Sequence, residues 1–222
     1  MRPQFCVWDW NGTLLDDVQL CVDTMNAMLE KRGLPLLTTE RYREIFTFPV
    51  QEYYRAAGFD FEREPFTELA QEYIAPYNQA ALRCGLCEGT REALECLQSW
   101  GVRQVVVSAS HEEALREQVG AQGIAGYFEA LIGIRDVLGA GKAGLAREYL
   151  KAQGAELGQV WCIGDTRHDF EVAQQMGCQC VLVAQGHQSK ERLKQTGAAV
   201  LDSLHQLAPY LDKHPSGGYN LS

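Results

Sequence analysis

The chain has 222 residues, 46% of them apolar, and a formal net charge of −9. That length can bury a substantial core, in one large domain or in one domain carrying a smaller insertion. The charge argues against wrapping a nucleic acid backbone or lying on an anionic membrane. No apolar run is long enough to cross a bilayer. The opening MRPQFCVWDW has no apolar signal-peptide core, so the eight cysteines read as reduced thiols of a cytoplasmic protein.

Taken in chain order, residues 4–9 read as a short buried strand. Val18 to Arg32 is helical, with Leu20, Val22, Met25, Met28 and Leu29 at helical spacing and Gly33 and Pro35 closing it. LTTERYREIF opens another helix, which Thr38 or Thr39 can cap. FPVQEYYRAAGF and PFTELAQEYIAPYNQAAL read as two more. The CxxC spacing of CGLC, Cys84 to Cys87, has no second ligand pair and is a weak signal. After Glu88 the pattern changes. Helix GTREALECLQSWG, strand VRQVVVSAS, a helix opened by a Ser110/Glu113 capping box, strand FEALIGI, helix KAGLAREYLKAQG, strand QVWCIGD, helix HDFEVAQQMG, strand CQCVLVA, helix SKERLKQTG, strand AAVLDS and helix LHQLAPYL follow one another. Strands alternating with helices predict a parallel sheet covered on both faces. The tail HPSGGYNLS is polar and expected to be mobile. The fold expected is therefore α/β, a Rossmann-like doubly wound parallel sheet, from residues 1–16 and 89–222. An α-helical cap domain, residues 17–88, is inserted after the first strand.

In such sheets ligands bind at the carboxyl ends of the strands. Asp9, Ser108 and Asp165 each end an apolar strand there, and Asp169 follows four residues after Asp165. Three unpaired carboxylates would repel one another. A divalent cation resolves this, and hard oxygen donors suit Mg²⁺. Lys142, isolated at a helix start after LGAG, supplies a fixed positive charge. A carboxylate nucleophile, a metal, a lysine and a serine are the parts of phosphoryl transfer.

The four segments DWNGTLLDD, VVVSAS, the lysine of GKAGLAREYL, and GDTRHD stand in the order and spacing of a known set of motifs. The chain resembles the haloacid dehalogenase superfamily over essentially its whole length. Within it, the phosphoglycolate-phosphatase-like and β-phosphoglucomutase-like branch with a helical cap is nearest. The resemblance implies a phosphatase of small soluble phosphate esters, monomeric or homodimeric. Asp9 is implied as the nucleophile that becomes an aspartyl-phosphate. Asp9, Asp165 and the backbone carbonyl of Asn11 would hold Mg²⁺, with Asp169 in support. Ser108, Ala109 and Lys142 would hold the transferring phosphoryl group.

The family usually carries a second aspartate two residues after the nucleophile, which protonates the leaving oxygen and then activates water. Here that residue is Asn11, and an amide cannot exchange a proton in this way. Restoring a carboxylate at position 11 is thus expected to raise hydrolysis roughly ten- to a thousandfold. The same substitution leaves room for a phosphate-binding protein with weak or no turnover. It also leaves room for a phosphonate hydrolase, which would need a cap lysine, and the cap has only Lys31. Thr13 is a candidate substrate contact whose hydroxyl more simply holds the loop. Arg43 is a candidate for a substrate carboxylate or a solvated helix arginine. Asp16 and Asp17 read as a helix cap and first-turn charge, and Phe46, Phe48, Tyr53 and Tyr54 as cap core. His187, in QGHQS, is at the same edge and reads as a solvated loop histidine. His168 is expected to face outward.

Overall fold

The structure is a computed structural model that describes residues 2–134 and 141–214; residues 215–222 of the polar tail lie outside the described residues. The chain runs β1 (Phe5–Trp8), α1 (Val18–Glu30), α2 (Thr39–Ile45), α3 (Val50–Ala57), α4 (Phe66–Ala81), α5 (Thr90–Ser99), β2 (Arg103–His111) and α6 (Glu112–Ala121). It continues with β3 (Ala130–Ile134), α7 (Lys142–Ala152), β4 (Val160–Gly164), α8 (Arg167–Met176), β5 (Gln179–Val183), α9 (Lys190–Lys194), β6 (Ala199–Leu201) and α10 (Leu207–Lys213). The six strands form one sheet in the order β3-β2-β1-β4-β5-β6, and every pairing is parallel.

Alternation along β1 explains why both faces are covered. Cys6 and Trp8 point into one apolar core and Phe5 and Val7 into the other, as a period of two requires. The second face is closed by α7, α8 and α9 through Ala146, Leu150, Val172, Met176 and Leu193. The first is closed by α5, α6 and α10 and runs without a break into the inserted helices, where Met25, Leu29, Tyr42 and Tyr77 belong to the same core. Strand order reverses at β1, whose neighbours are β2 on one side and β4 on the other. That reversal opens a crevice at the carboxyl ends of β1 and β4.

Two turns shape the crevice. After β1 the Trp10 carbonyl accepts the amides of Thr13 (3.3 Å), Leu14 (2.9 Å) and Leu15 (2.9 Å), and the Trp10 indole donates to Gln118 at 2.8 Å. Gly12 takes φ +71° within this turn, where a Cβ would overlap Asp165 and His187, so glycine is required on two counts. After β4, Thr166 and Asp169 form a reciprocal capping box at the start of α8.

Some local expectations fail. β2 does not end at Ser108 but continues to His111, with a register irregularity between Val107 and His111, and the Ser110/Glu113 capping box does not form. His111 precedes α6 with no side-chain cap; the Ser110 hydroxyl is drawn to Asn11 instead. The cap of α2 is Thr38, which accepts the Arg41 amide. No helix among the described residues is long and apolar enough to cross a membrane.

Candidate active site

Asp9, Asp165 and Asp169 meet at the crevice with carboxylate oxygens within 4.8 Å of one another. Lys142, at the first position of α7, reaches in from the second face. Its ammonium donates to Asp9 Oδ1 at 2.5 Å and to Asp169 Oδ1 at 2.6 Å. Thr13 donates to Asp165 Oδ1 at 2.8 Å and lies 3.4 Å from Asp9 Oδ2. The His187 backbone amide donates to Asp165 Oδ2 at 2.6 Å. Thr13 is buried and does not line the cavity above the site; its hydroxyl is directed at the carboxylates.

The charges are far from balanced. Burial pushes Asp9 up to about 7, with Asp169 and Asp165 adding to the rise and Lys142 opposing it. Burial also pushes Asp165 up, to about 6. Burial would raise Asp169 too, but the Lys142 charge and hydrogen bond, with Thr166, hold it below the usual carboxylate range. Lys142 loses from burial and gains more from Asp169 and Asp9, so it stays charged. Three carboxylates against one ammonium thus leave a surplus negative charge that protons would otherwise quench. A divalent cation with oxygen donors fits that surplus. Asp169 spends both oxygens on Lys142, Thr166 and the Asp165 amide, which suits it to support rather than to lead coordination.

Asn11 is held at both ends. Its Nδ2 donates to Tyr77 Oη at 2.6 Å and to Asp17 Oδ2 at 3.1 Å. Its Oδ1 accepts from the Ser110 hydroxyl at 2.8 Å, with Ser108 Oγ at 3.5 Å. Ser108 Oγ in turn accepts the Ser110 amide at 3.0 Å. Ser108 and Ala109 both line the cavity.

Four expectations require correction. Asp17 precedes α1 but makes no cap bond. It is 1% exposed, accepts the Gly12 amide at 2.8 Å and Tyr77 Oη at 2.5 Å, and lies 3.4 Å from His187 Nε2. His187 is not solvated: its Nδ1 meets Tyr42 Oη at 2.8 Å and the residue is buried. Burial would lower its imidazole, but Asp17, then Asp165 and Asp9, raise it to about 9. Burial would raise Asp17, which the His187 charge, Tyr77 and Asn11 keep low. The pair is therefore a buried ion pair. His168 does not face outward either; it stacks on Phe48 at 4.5 Å and lines the cavity. Arg43 is absent from the lining among the described residues. Its guanidinium donates to the carbonyls of Gly186 (2.9 Å) and Gln185 (3.0 Å), pinning α2 to the loop after β5.

Phe46, Phe48, Tyr53 and Tyr54 pack against one another and also wall the cavity, so cap core and substrate wall are one surface. Lys31 pairs with Glu72 at 2.7 Å and does not line the cavity, which removes the amine that phosphonate cleavage would need. Cys84 and Cys87 belong to no candidate metal group among the described residues; Cys87 Sγ donates to the Gly12 carbonyl at 3.6 Å.

Sequence reasoning missed Ser110, Tyr77 and the ion pair. Ser110 had a signal: it is two residues past Ser108 on the same strand face. Tyr77 and the Asp17–His187 pair had none, because their contacts span 60 and 170 residues of chain.

This chain belongs to the haloacid dehalogenase-like hydrolases, whose family profile matches residues 6–183. It is similar to the phosphoglycolate phosphatase of Nitrosococcus oceani, 28% identical across 96% of this chain and 98% of that protein. The phosphoglycolate phosphatase of Pseudomonas savastanoi pv. phaseolicola is 24% identical, across 93% of this chain and 79% of its own length. In fold it is similar to a haloacid dehalogenase-like hydrolase of Streptococcus pneumoniae, with TM-score 0.81 at 18% identity, across 94% of this chain and 98% of the other.

Proposed function

We infer that the chain is a Mg²⁺-dependent phosphatase of a small phosphate monoester, working through an aspartyl-phosphate on Asp9. The observation that carries this is Lys142 shared between Asp9 and Asp169, with Asp165 beside them, at the sheet's reversal point. Asp9, Asp165, the Asn11 carbonyl and, in support, Asp169 would hold the metal. Mg²⁺ supplies charge neutralisation for the carboxylates and the phosphoryl oxygens. Lys142 and the Ser108 hydroxyl hold the phosphoryl group, and Lys142 fixes the Asp9 oxygens for attack. Residues 17–88 act as a cap that excludes water while the aspartyl-phosphate exists. The similar proteins from Nitrosococcus and Pseudomonas are phosphoglycolate phosphatases, which supports the same reading.

Asn11 supports slow turnover. Its amide is saturated by Asp17, Tyr77 and Ser110, so neither end is free to serve the leaving oxygen. The test is a panel of phosphomonoesters with Mg²⁺ or chelator, read for phosphate release and, by mass spectrometry, for phosphate on Asp9. Metal-dependent release that disappears in Asp9→Asn is the expected result. Release that survives Asp9→Asn, or is indifferent to chelator, overturns the assignment.

A further inference from the structure

The cavity over Asp9 has a volume of about 300 Å³, enough for a small ligand. Its walls on the cap side are aromatic: Phe46, Phe48, Tyr53, Tyr54, Tyr73 and Tyr77 all line it. The rings already meet edge to face or stacked, as Phe46 on Phe48 at 5.6 Å and Tyr73 on Tyr77 at 5.6 Å, which is how a further ring would be received. Among the described residues the lining holds no arginine and one lysine, Lys142. That lysine is committed to Asp9 and Asp169. His187, also in the lining, is paired with Asp17. His168 is stacked on Phe48. A leaving group bearing its own carboxylate or second phosphate would meet no arginine and no uncommitted lysine here, only the exposed imidazole of His111, and its desolvation would be poorly repaid.

Position 11 adds an independent constraint. With no proton to give, the chain favours a leaving oxygen that departs without one. A phenol, with pKa about 10 as for tyrosine, leaves far more readily than an alkoxide about as basic as hydroxide, for which water has pKa about 15.7. We propose that the substrate class is a small monoaryl phosphate, the ester of phosphate with a flat, uncharged phenol seated among the cap rings. This rests on the phosphatase reading. In the first step an Asp9 oxygen bonds to phosphorus, the bond from phosphorus to the phenolic oxygen breaks, and the phenolate leaves with the pair. In the second, water bonds to phosphorus and Asp9 recovers its carboxylate. Water's two protons end one on the phenol and one on hydrogen phosphate.

The experiment compares four esters with the intact chain and Mg²⁺: phenyl, benzyl and cyclohexyl phosphate, and 2-phosphoglycolate. Phenyl and benzyl phosphate should bind within about threefold of one another, because both present a ring, while the single-turnover rate of Asp9 phosphorylation falls at least a hundredfold for benzyl, the range of an unassisted leaving group. Cyclohexyl phosphate should show a KM at least fivefold higher. Phe48→Leu should raise KM for the two ring esters several-fold more than for cyclohexyl phosphate, a split that a general folding defect would not produce. A phosphotyrosyl peptide, too large for a cavity of about 300 Å³, should have a kcat/KM at least tenfold below phenyl phosphate. Phosphoglycolate hydrolysed as efficiently as phenyl phosphate, cyclohexyl and phenyl esters with equal KM, or a peptide turned over as well as the small ester would each overturn the proposal and leave a phosphatase standing. No Asp9-dependent phosphate release from any ester would overturn the phosphatase reading itself.

Discussion

Replacing Asn11 by aspartate tests the site most directly, and the structure alters what should be expected. The amide nitrogen lies 3.1 Å from Asp17 Oδ2. A carboxylate oxygen in its place would put two like charges at that separation, costing about 5 kcal/mol at an effective permittivity of 20. Taking up a proton is the cheaper escape. Holding a carboxyl of ordinary pKa protonated at pH 7 costs about 4 kcal/mol, at 1.36 kcal/mol for each of about three units. The protonated group can still donate to Asp17, and a hydrogen bond to a charged partner returns about 1.5–3 kcal/mol. The net loss expected for Asn11→Asp is therefore about 2 kcal/mol, or about 4–8 °C in Tm for a chain of this size.

The sign with pH follows. The new carboxyl has a folded pKa raised above its unfolded value. Its penalty is thus absent near pH 4 and below, and grows as pH rises towards the folded pKa. Urea unfolding of both proteins at pH 5 and pH 8 measures this, and the gap should widen at pH 8. Adding Asp17→Asn reverses the donor and acceptor and should remove the repulsion at position 11, but it also takes away the carboxylate paired with His187, so the parent's stability should not return in full. The ten- to thousandfold gain in hydrolysis that sequence alone assigns to Asn11→Asp then belongs to the double variant. In the single variant the new carboxyl shares its proton with Asp17. An Asn11→Asp protein as stable as the parent at pH 8, with no dependence on pH, would refute the reasoning.

His187→Gln leaves Asp17 buried without its cation and should cost about 3–5 kcal/mol near neutrality. Because His187 is raised to about 9, its contribution is full below about pH 6.5 and lost as pH rises through about 9, so parent and variant should converge in urea melts at high pH. Lys142→Met strands Asp9 and Asp169, and should abolish phosphate release while urea melts show a fold weakened by a similar amount. Gly12→Ala meets both a left-handed φ and contacts with Asp165 and His187; it should lower Tm and weaken Mg²⁺ binding measured by calorimetry. The two cap linkers are tied by the Asp16 amide on the Gly85 carbonyl (3.0 Å) and the Cys87 amide on the Leu14 carbonyl (2.9 Å), so a bound phosphate analogue should slow hydrogen exchange there; unchanged exchange would count against a moving cap.

Much of this architecture was legible because its signals are local. Each strand announces itself by a run of valine, isoleucine or cysteine, and each helix by spacing. Asp9, Asp165, Asp169 and Lys142 sit at fixed offsets from those elements, so naming the strand ends placed the residues. Ser110 was misread because two local rules compete there. The Ser110/Glu113 pattern favours a cap, but continued pairing of β2 and the acceptor on Asn11 outweigh it. His187 and Asp17 were misread for a different reason. A charged group next to a turn is usually solvated, and only the return of the chain after β5 buries one against the other.

That pair also bears on why an amide stands at position 11. The family's usual second aspartate would lie beside Asp17, already buried and committed to His187, Tyr77 and the Gly12 amide. Two carboxylates there would be frustrated, whereas an amide donates to Asp17 and accepts from Ser110 at once. The negative charge is in effect carried at 17 instead of 11. It still balances His187 and still knits α4 to the core, since Tyr77 belongs to α4. What would not transfer is proton exchange with the ester oxygen, because Asp17 is held low by its partners. The substitution at 11 is thus coupled to the cap contact, and reversing it without reversing 17 should disturb the docking of α4 as well as the chemistry.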